Sequence, residues 1–211
     1  MNRYTKKVFK DGNIQYIMQY ISKNYDKLLG AVGLSDQLLK NHFTLYQGYV
    51  TNTNKVLNRL ATLLKEGTIG TPEYAELKRR FGWEWNGMRL HENYFDNLTK
   101  GGNSLDVDSA IAKAIVIDFG SIENWENDFK ATGMLRGIGW TALYLDPESK
   151  RLFNTWINEH EIGHISGGSI LLIMDIFEHA FMIDYGLKRA DYIEAFFKNI
   201  DWKVVSKRFT G

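Results

Sequence analysis

Apolar side chains recur at helical spacing through much of the first half of the chain. After Ser35, which fits a helix N-cap, apolar positions repeat every three or four residues as far as residue 64, and Gly67 follows as a stop signal. Thr71-Pro72 is typical of a second helix start, and that helix is predicted over residues 73–98, with Gly82 as its weak point. Two long helices joined by a short connection most simply form an antiparallel hairpin.

The hydrophobic pattern changes after Gly101-Gly102-Asn103, which is the clearest linker signal in the chain. Beyond it we predict two shorter helices, three strands and a final helix. They are expected at residues 109–119, 122–134, 140–146, 151–158, 169–175 and 188–200. The predicted fold class is therefore α+β: a long N-terminal α-hairpin packs on a C-terminal domain with a small three-stranded antiparallel sheet and helices. The domains are expected at residues 1–103 and 104–211, and residues 12–29, which lack a clear period, are expected to form an extended lead-in.

Composition narrows the possible functions. The chain has 211 residues, a net charge of +1 and no cysteine. Without cysteine there are no disulfides, catalytic thiols or iron–sulfur clusters, and the balanced charge gives no reason to expect a nucleic-acid partner. No apolar run approaches the roughly 18–20 residues that span a bilayer. The first ten residues are basic and polar, unlike a secretory signal, so we expect a cytoplasmic protein without a membrane partner.

The most conspicuous local motif is His160-Glu161-Ile162-Gly163-His164, a literal H-E-x-x-H. On a helix this motif places two histidines on one face to bind zinc, while the glutamate activates water. The preceding segment is predicted as strand rather than helix, and the third histidine of the longer protease motif is replaced by Ile170. A zinc metalloprotease is therefore kept as an alternative hypothesis only.

Four other motifs, in order along the chain, carry a stronger signal. Leu34-Ser35 precedes His42 at a fixed spacing, and a later Leu-His-Glu-Asn-Tyr-Phe run contains His91. Gly139-Trp140-Thr141 opens the predicted sheet, and D-x-F-E-H-A-F runs from Asp175, followed by Asp184-Tyr185 and then by Arg189 and Tyr192. Together these motifs resemble the iron/manganese superoxide dismutase family over roughly residues 25–211.

The resemblance implies a site and a reaction. Its metal ligands would be His42, His91, Asp175 and His179, a set that suits one iron or manganese ion per subunit, with iron slightly preferred. Its catalytic residues beyond the ligands would be Tyr49, Trp140 and His160. Glu178 and Tyr192 would lie at the interface of a homodimer or homotetramer. The expected activity is disproportionation of superoxide to dioxygen and hydrogen peroxide, in an antioxidant oxidoreductase.

The sequence also departs from the family pattern. His42 and Tyr49 are seven residues apart where the family has eight, and the histidine that gates the substrate funnel is absent, since Leu45 or Tyr46 occupies that region. Gly87 and the pair His160 and His164 match archaeal-type members, in which His164 is expected to be structural. The lost gate leaves a third hypothesis open, a metal-binding family member with weakened catalysis.

Overall fold

The computed structural model describes residues 4–8 and 14–210, and for the first two strands it describes the backbone. Its elements, in chain order, are β1 (Tyr4–Val8), β2 (Ile14–Met18), α1 (Asp36–Lys65), α2 (Pro72–Asp96), α3 (Ala110–Phe119), α4 (Ile122–Gly133), β3 (Gly139–Leu145), β4 (Leu152–Asn158), β5 (Ser169–Asp175), α5 (Met182–Tyr185), α6 (Arg189–Phe197) and α7 (Trp202–Thr210). Short 3-10 helices lie at Asp26–Leu28 and Glu178–Ala180. The α+β fold class is confirmed.

The chain divides into two compact units that share the long helices. One contains the described part of Met1–Asn24 together with Thr44–Arg89, and the other contains Tyr25–Phe43 and Leu90–Gly211. Each helix of the hairpin therefore contributes one end to each unit. The separate domain division expected at residues 103/104 stays a prediction.

In the first unit, α1 and α2 run antiparallel. Near the tip, the Arg59 guanidinium binds the Glu73 carboxylate with two hydrogen bonds of 2.6 and 2.9 Å. The strands β1 and β2 pair antiparallel, from Tyr4 opposite Met18 to Val8 opposite Ile14. The lead-in prediction missed this hairpin; residues 1–3 and 9–13 lie outside the described residues.

In the second unit, the sheet has the order β4-β3-β5, with both pairings antiparallel. Every residue of the central strand β3 is buried, which accounts for its nearly continuous apolar sequence. The predicted strand 169–175 is confirmed with the same bounds, and the other two agree within one residue at each end. Helix α7 was not predicted. It is tied down by the Arg208 guanidinium, which donates to the carbonyls of Leu171 and Asn93 at 2.9 and 3.0 Å.

Candidate metal centre

Four ligand-type side chains converge inside the second unit: His42, His91, Asp175 and His179. Their ligand atoms all lie within 4.8 Å of one another. The Nε2 atoms of His42 and His179 each lie 3.1 Å from Asp175 Oδ2, and His91 Nε2 lies 3.6 Å from the same oxygen. Three imidazoles therefore surround one carboxylate oxygen.

Each of these side chains is held by a regular element or follows one directly. His42 lies in the first turns of α1, and His91 lies near the end of α2. Asp175 is the last residue of β5, and His179 lies in the 3-10 helix that follows, so the chain turns back at the end of the strand. Asp175 and His91 are fully buried and His42 is 1% exposed, whereas His179 is 25% exposed.

The electrostatics of the group favour an ionised Asp175 carboxylate and a neutral His42 ring. Burial would raise the pKa of Asp175, but the charge of His179 and the hydrogen bonds with His179 and His42 outweigh it and lower that pKa. Burial lowers the pKa of His42 more than its hydrogen bond to Asp175 raises it. Deprotonated carboxylate and neutral imidazole are the forms that bind metal.

The donor set fits a first-row transition metal. Ligand distances of about 2.1 Å around one ion place adjacent donor atoms about 3 Å apart, close to the separations found here. A fully buried, ionised carboxylate is costly without a cation nearby, and imidazole with carboxylate suits iron and manganese.

Two polar contacts fix the rest of Asp175. Its second carboxylate oxygen, Oδ1, accepts a hydrogen bond from the backbone N–H of Phe177 at 2.9 Å. Its backbone carbonyl accepts one from the Tyr192 hydroxyl at 2.7 Å. The sequence had suggested Tyr192 for a subunit interface; the structure buries it fully within this chain, and an interface role stays a prediction. Glu178, the other interface candidate, is exposed.

Trp140 and His160 lie together next to the group. The indole Nε1–H of Trp140 donates to His160 Nδ1 at 3.1 Å, and its ring meets the edge of His91 with centroids 5.0 Å apart. Since Nδ1 accepts this bond, the proton of a neutral His160 ring resides on Nε2. His160 is fully buried, and its ring centroid lies 6.1 Å from that of His91.

The H-E-x-x-H segment is not helical. Residues 159–161 form a turn directly after β4, and Ile162 makes an isolated bridge back to Asn158. The ring nitrogens of His164 lie 3.2 Å from the Tyr144 hydroxyl and 3.0 Å from the His160 carbonyl. The motif therefore lacks the helical face that a zinc protease needs, and His164 has the structural environment expected for it.

Tyr49 belongs to the part of α1 in the first unit. A Cβ atom added to Gly87 of α2 would lie 2.5 Å from Cδ1 of Tyr49, so the ring occupies space that only glycine leaves open. In the region of the missing gate, Tyr46 is fully buried and its hydroxyl accepts from the Lys23 N–H at 3.0 Å.

Sequence reasoning did not assign a role to Tyr94, although it lies within the quoted motif three residues after His91. Its hydroxyl is 3.1 Å from that of Tyr192. The i, i+3 spacing was the available signal, because it places Tyr94 on the same face of α2 as His91.

The fold and these four side chains define a single-ion metalloprotein of the α+β class. A family model described as iron/manganese superoxide dismutases, C-terminal domain, matches residues 107–208. An iron superoxide dismutase of Cupriavidus metallidurans is 39% identical over 85% of this chain and 90% of its own. One from Aquifex pyrophilus is 36% identical over 89% of each chain, and a manganese superoxide dismutase of Haloferax volcanii is 32% identical over 93% of this chain and 96% of its own. The chain belongs to the iron/manganese superoxide dismutase family.

Proposed function

We propose that this protein converts superoxide to dioxygen and hydrogen peroxide at one iron or manganese ion held by His42, His91, Asp175 and His179. The observation that carries the proposal is the convergence of three imidazole nitrogens on one oxygen of a buried, ionised aspartate. Family membership supplies the reaction class. The ion, when bound, supplies the one-electron chemistry by alternating between its trivalent and divalent states.

The chain's own residues would control protons and the shape of the site. A neutral His160 ring would hold its proton at Nε2, and we propose that it donates this proton as a hydrogen bond to substrate at the metal site. Trp140 keeps His160 in that tautomer through its own N–H. Tyr49 is proposed, from the resemblance, as a second hydrogen-bonding group at the site.

Iron is the metal we favour. His160 stands where manganese-type members carry glutamine, and Gly87 leaves room for the Tyr49 ring where bacterial iron-type members carry a glutamine side chain. Both features match the archaeal-type pattern.

Metal analysis combined with a dismutation assay tests the function. Protein produced with iron or manganese should carry one ion per chain, and its rate of superoxide removal should rise in proportion to occupancy. His179→Ala should lose the ion, whereas His164→Ala, which changes a histidine outside the group, should retain it. Glu161→Gln should keep full dismutase activity. Only the alternative hypothesis, a zinc protease, requires this glutamate.

Two results would contradict the proposal. Full occupancy by iron or manganese without turnover would instead support a metal-binding family member with lost catalysis. If the His179→Ala variant retained the metal, the proposed set of four ligands would be wrong.

We propose further that the protein acts as an antioxidant enzyme in the cytoplasm and assembles as a homodimer or homotetramer. Glu178 is exposed beside His179, where it can meet a second copy of the chain. Light-scattering mass measurements on wild-type protein and Glu178→Ala test the assembly, and cell fractionation tests the location.

None of the described helices is long and apolar enough to cross a bilayer.

A further inference from the structure

Two buried tyrosines, Tyr94 and Tyr192, form a hydrogen-bonded link between helix α2, which carries the proposed ligand His91, and the backbone of the proposed ligand Asp175. Tyr94 lies on α2, one turn beyond His91, and Tyr192 lies on α6. The Tyr94 and Tyr192 hydroxyl oxygens are 3.1 Å apart, and the Tyr192 hydroxyl is 2.7 Å from the Asp175 carbonyl oxygen. Tyr94 is 1% exposed and Tyr192 is fully buried.

The direction of both hydrogen bonds follows from the available protons. The Asp175 carbonyl can only accept, so the single phenolic proton of Tyr192 points to it. The Tyr192 oxygen must then accept from Tyr94. A phenol has an ordinary pKa of about 10, so each tyrosine keeps its proton at neutral pH and can act as a donor.

The geometry points to Tyr192, supported by Tyr94, as a positioning residue that holds the Asp175 ligand in place through its backbone carbonyl. This inference rests on the proposed metal site. The tyrosine contact fixes the main chain at Asp175, while the Phe177 N–H fixes the carboxylate through Oδ1. Oδ2 is thereby left directed at the three imidazoles. Neither tyrosine needs to touch the metal to act in this way.

The same contacts limit what Tyr192 can do at an interface. A phenol has one proton to donate, and Tyr192 uses it within its own chain. Because Tyr192 is fully buried, its hydroxyl could meet a second copy of the chain only if these two hydrogen bonds were broken.

Iron-loaded wild-type protein and single tyrosine-to-phenylalanine variants test the inference. Two measurements report on the ligand geometry: the electron paramagnetic resonance spectrum of the ferric protein, and the rate at which a chelator removes the iron. Tyr192→Phe removes both hydrogen bonds, and we expect an altered spectrum and iron loss about 10-fold faster, as is common for groups that orient metal ligands. Tyr94→Phe leaves the Tyr192–Asp175 bond in place, so its effect should be smaller.

Tyr144→Phe is the matched control, because it also removes a hydroxyl from a buried tyrosine of the same unit. That hydroxyl bonds His164, which is not one of the four proposed ligands, and Tyr144 is buried. Its spectrum and iron-release rate should equal those of the wild type, even if its unfolding temperature falls. A general loss of packing would instead affect all three variants alike.

The inference is overturned if Tyr192→Phe keeps the wild-type spectrum and release rate, or if Tyr94→Phe has the larger effect. If Tyr192→Phe does not fold, 3-fluorotyrosine placed at position 192 retains the fold and donates a stronger hydrogen bond. Slower iron release is then expected, and an unchanged rate overturns the inference. These two measurements do not depend on turnover. If wild-type protein binds iron but lacks dismutase activity, the proposed function is wrong, and the role of Tyr192 can still be tested.

Discussion

At the scale of single residues, Asp175 determines the character of the proposed centre. It is the one carboxylate of the group, it is fully buried, and its Oδ2 atom faces all three histidines. Around a divalent or trivalent ion, its negative charge offsets part of the metal's charge inside a medium of low dielectric constant. Replacing it therefore changes both the donor set and the electrostatics of the site.

Asp175→Asn keeps the size of the side chain and removes its charge, so we expect the metal affinity to fall by more than about 100-fold. Groups that only support a ligand already contribute about 10- to 100-fold. Equilibrium competition with a chelator measures the change, and Asp191→Asn, at an exposed aspartate, is the control. An affinity within tenfold of wild type would show that Asp175 is not a ligand.

Trp140→Phe tests the tautomer of His160. The substitution keeps an aromatic ring but removes the N–H that Nδ1 of His160 accepts, so the imidazole loses the contact that keeps its proton on Nε2. We expect dismutation to slow by about 10-fold with metal content unchanged. The pH profile of the rate should also change, and an unaltered rate and profile would contradict the role given to Trp140.

At the scale of elements, the hydrophobic pattern predicted the long helices and the three strands of the C-terminal sheet, but it missed the N-terminal β-hairpin and helix α7. Helix α1 follows from apolar residues at helical spacing, and the buried strand Ser169–Asp175 follows from a continuous apolar run. Helix α2 continues through Gly82, because a single glycine in a long helix costs only about 1 kcal/mol. Helix α7 is only nine residues long, so the helical spacing of Trp202, Val205 and Phe209 is a short signal that was overlooked. Its anchoring by Arg208 depends on carbonyls distant in sequence, which no local pattern indicates.

The shortened spacing between His42 and Tyr49 has a simple structural counterpart. Helix α1 runs without interruption from Asp36 to Lys65, so no bulge lies between these residues. Seven residues are close to two turns of an α-helix, which gives both side chains nearly the same direction around its axis. A family spacing of eight would rotate one of them by about 100° unless the helix bulged.

Gly87→Ala tests how closely α1 and α2 must approach in the first unit. Alanine favours helices by about 1 kcal/mol over glycine, but its Cβ would lie 2.5 and 2.6 Å from Cδ1 and Cε1 of Tyr49. We expect the overpacking to dominate and the free energy of unfolding to fall by about 1–3 kcal/mol, with the Tyr49 ring displaced.

Gly48→Ala is the matched control, because Gly48 is also helical and a Cβ there would have no neighbour within 4 Å. It should stabilise the protein by about 0.5–1 kcal/mol. Denaturant unfolding measures both variants. Equal stabilisation by the two alanines would show that the Tyr49 ring moves aside without cost.

At the scale of the whole molecule, the candidate site was more predictable than its supports. The four proposed ligands are residues 42, 91, 175 and 179. Three of the family motifs are local and each contains one or two of them, and the structure brings all four side chains together. The hydrogen bonds that support these ligands are not contained in any one local motif. The Tyr192 bond to Asp175 and the Trp140 bond to His160 join residues 17 and 20 positions apart, through contacts that only the folded chain creates.

Because the site joins two helices, a strand end and a following turn, the metal should act on stability as a cross-link between elements distant in sequence. A ligand that binds only the folded state at about 1,000 times its dissociation constant stabilises by about 4 kcal/mol. In a chain of this size each kcal/mol moves the unfolding temperature by about 2–4 °C, so removing the metal should lower that temperature by about 10 °C. Calorimetry before and after chelation measures the shift, and re-addition of iron or manganese should reverse it. Asp175→Asn should show a clearly smaller shift, because its weaker metal affinity leaves less stabilisation of the folded state. A wild-type protein that unfolds at the same temperature with and without metal would show that the ion does not link these elements.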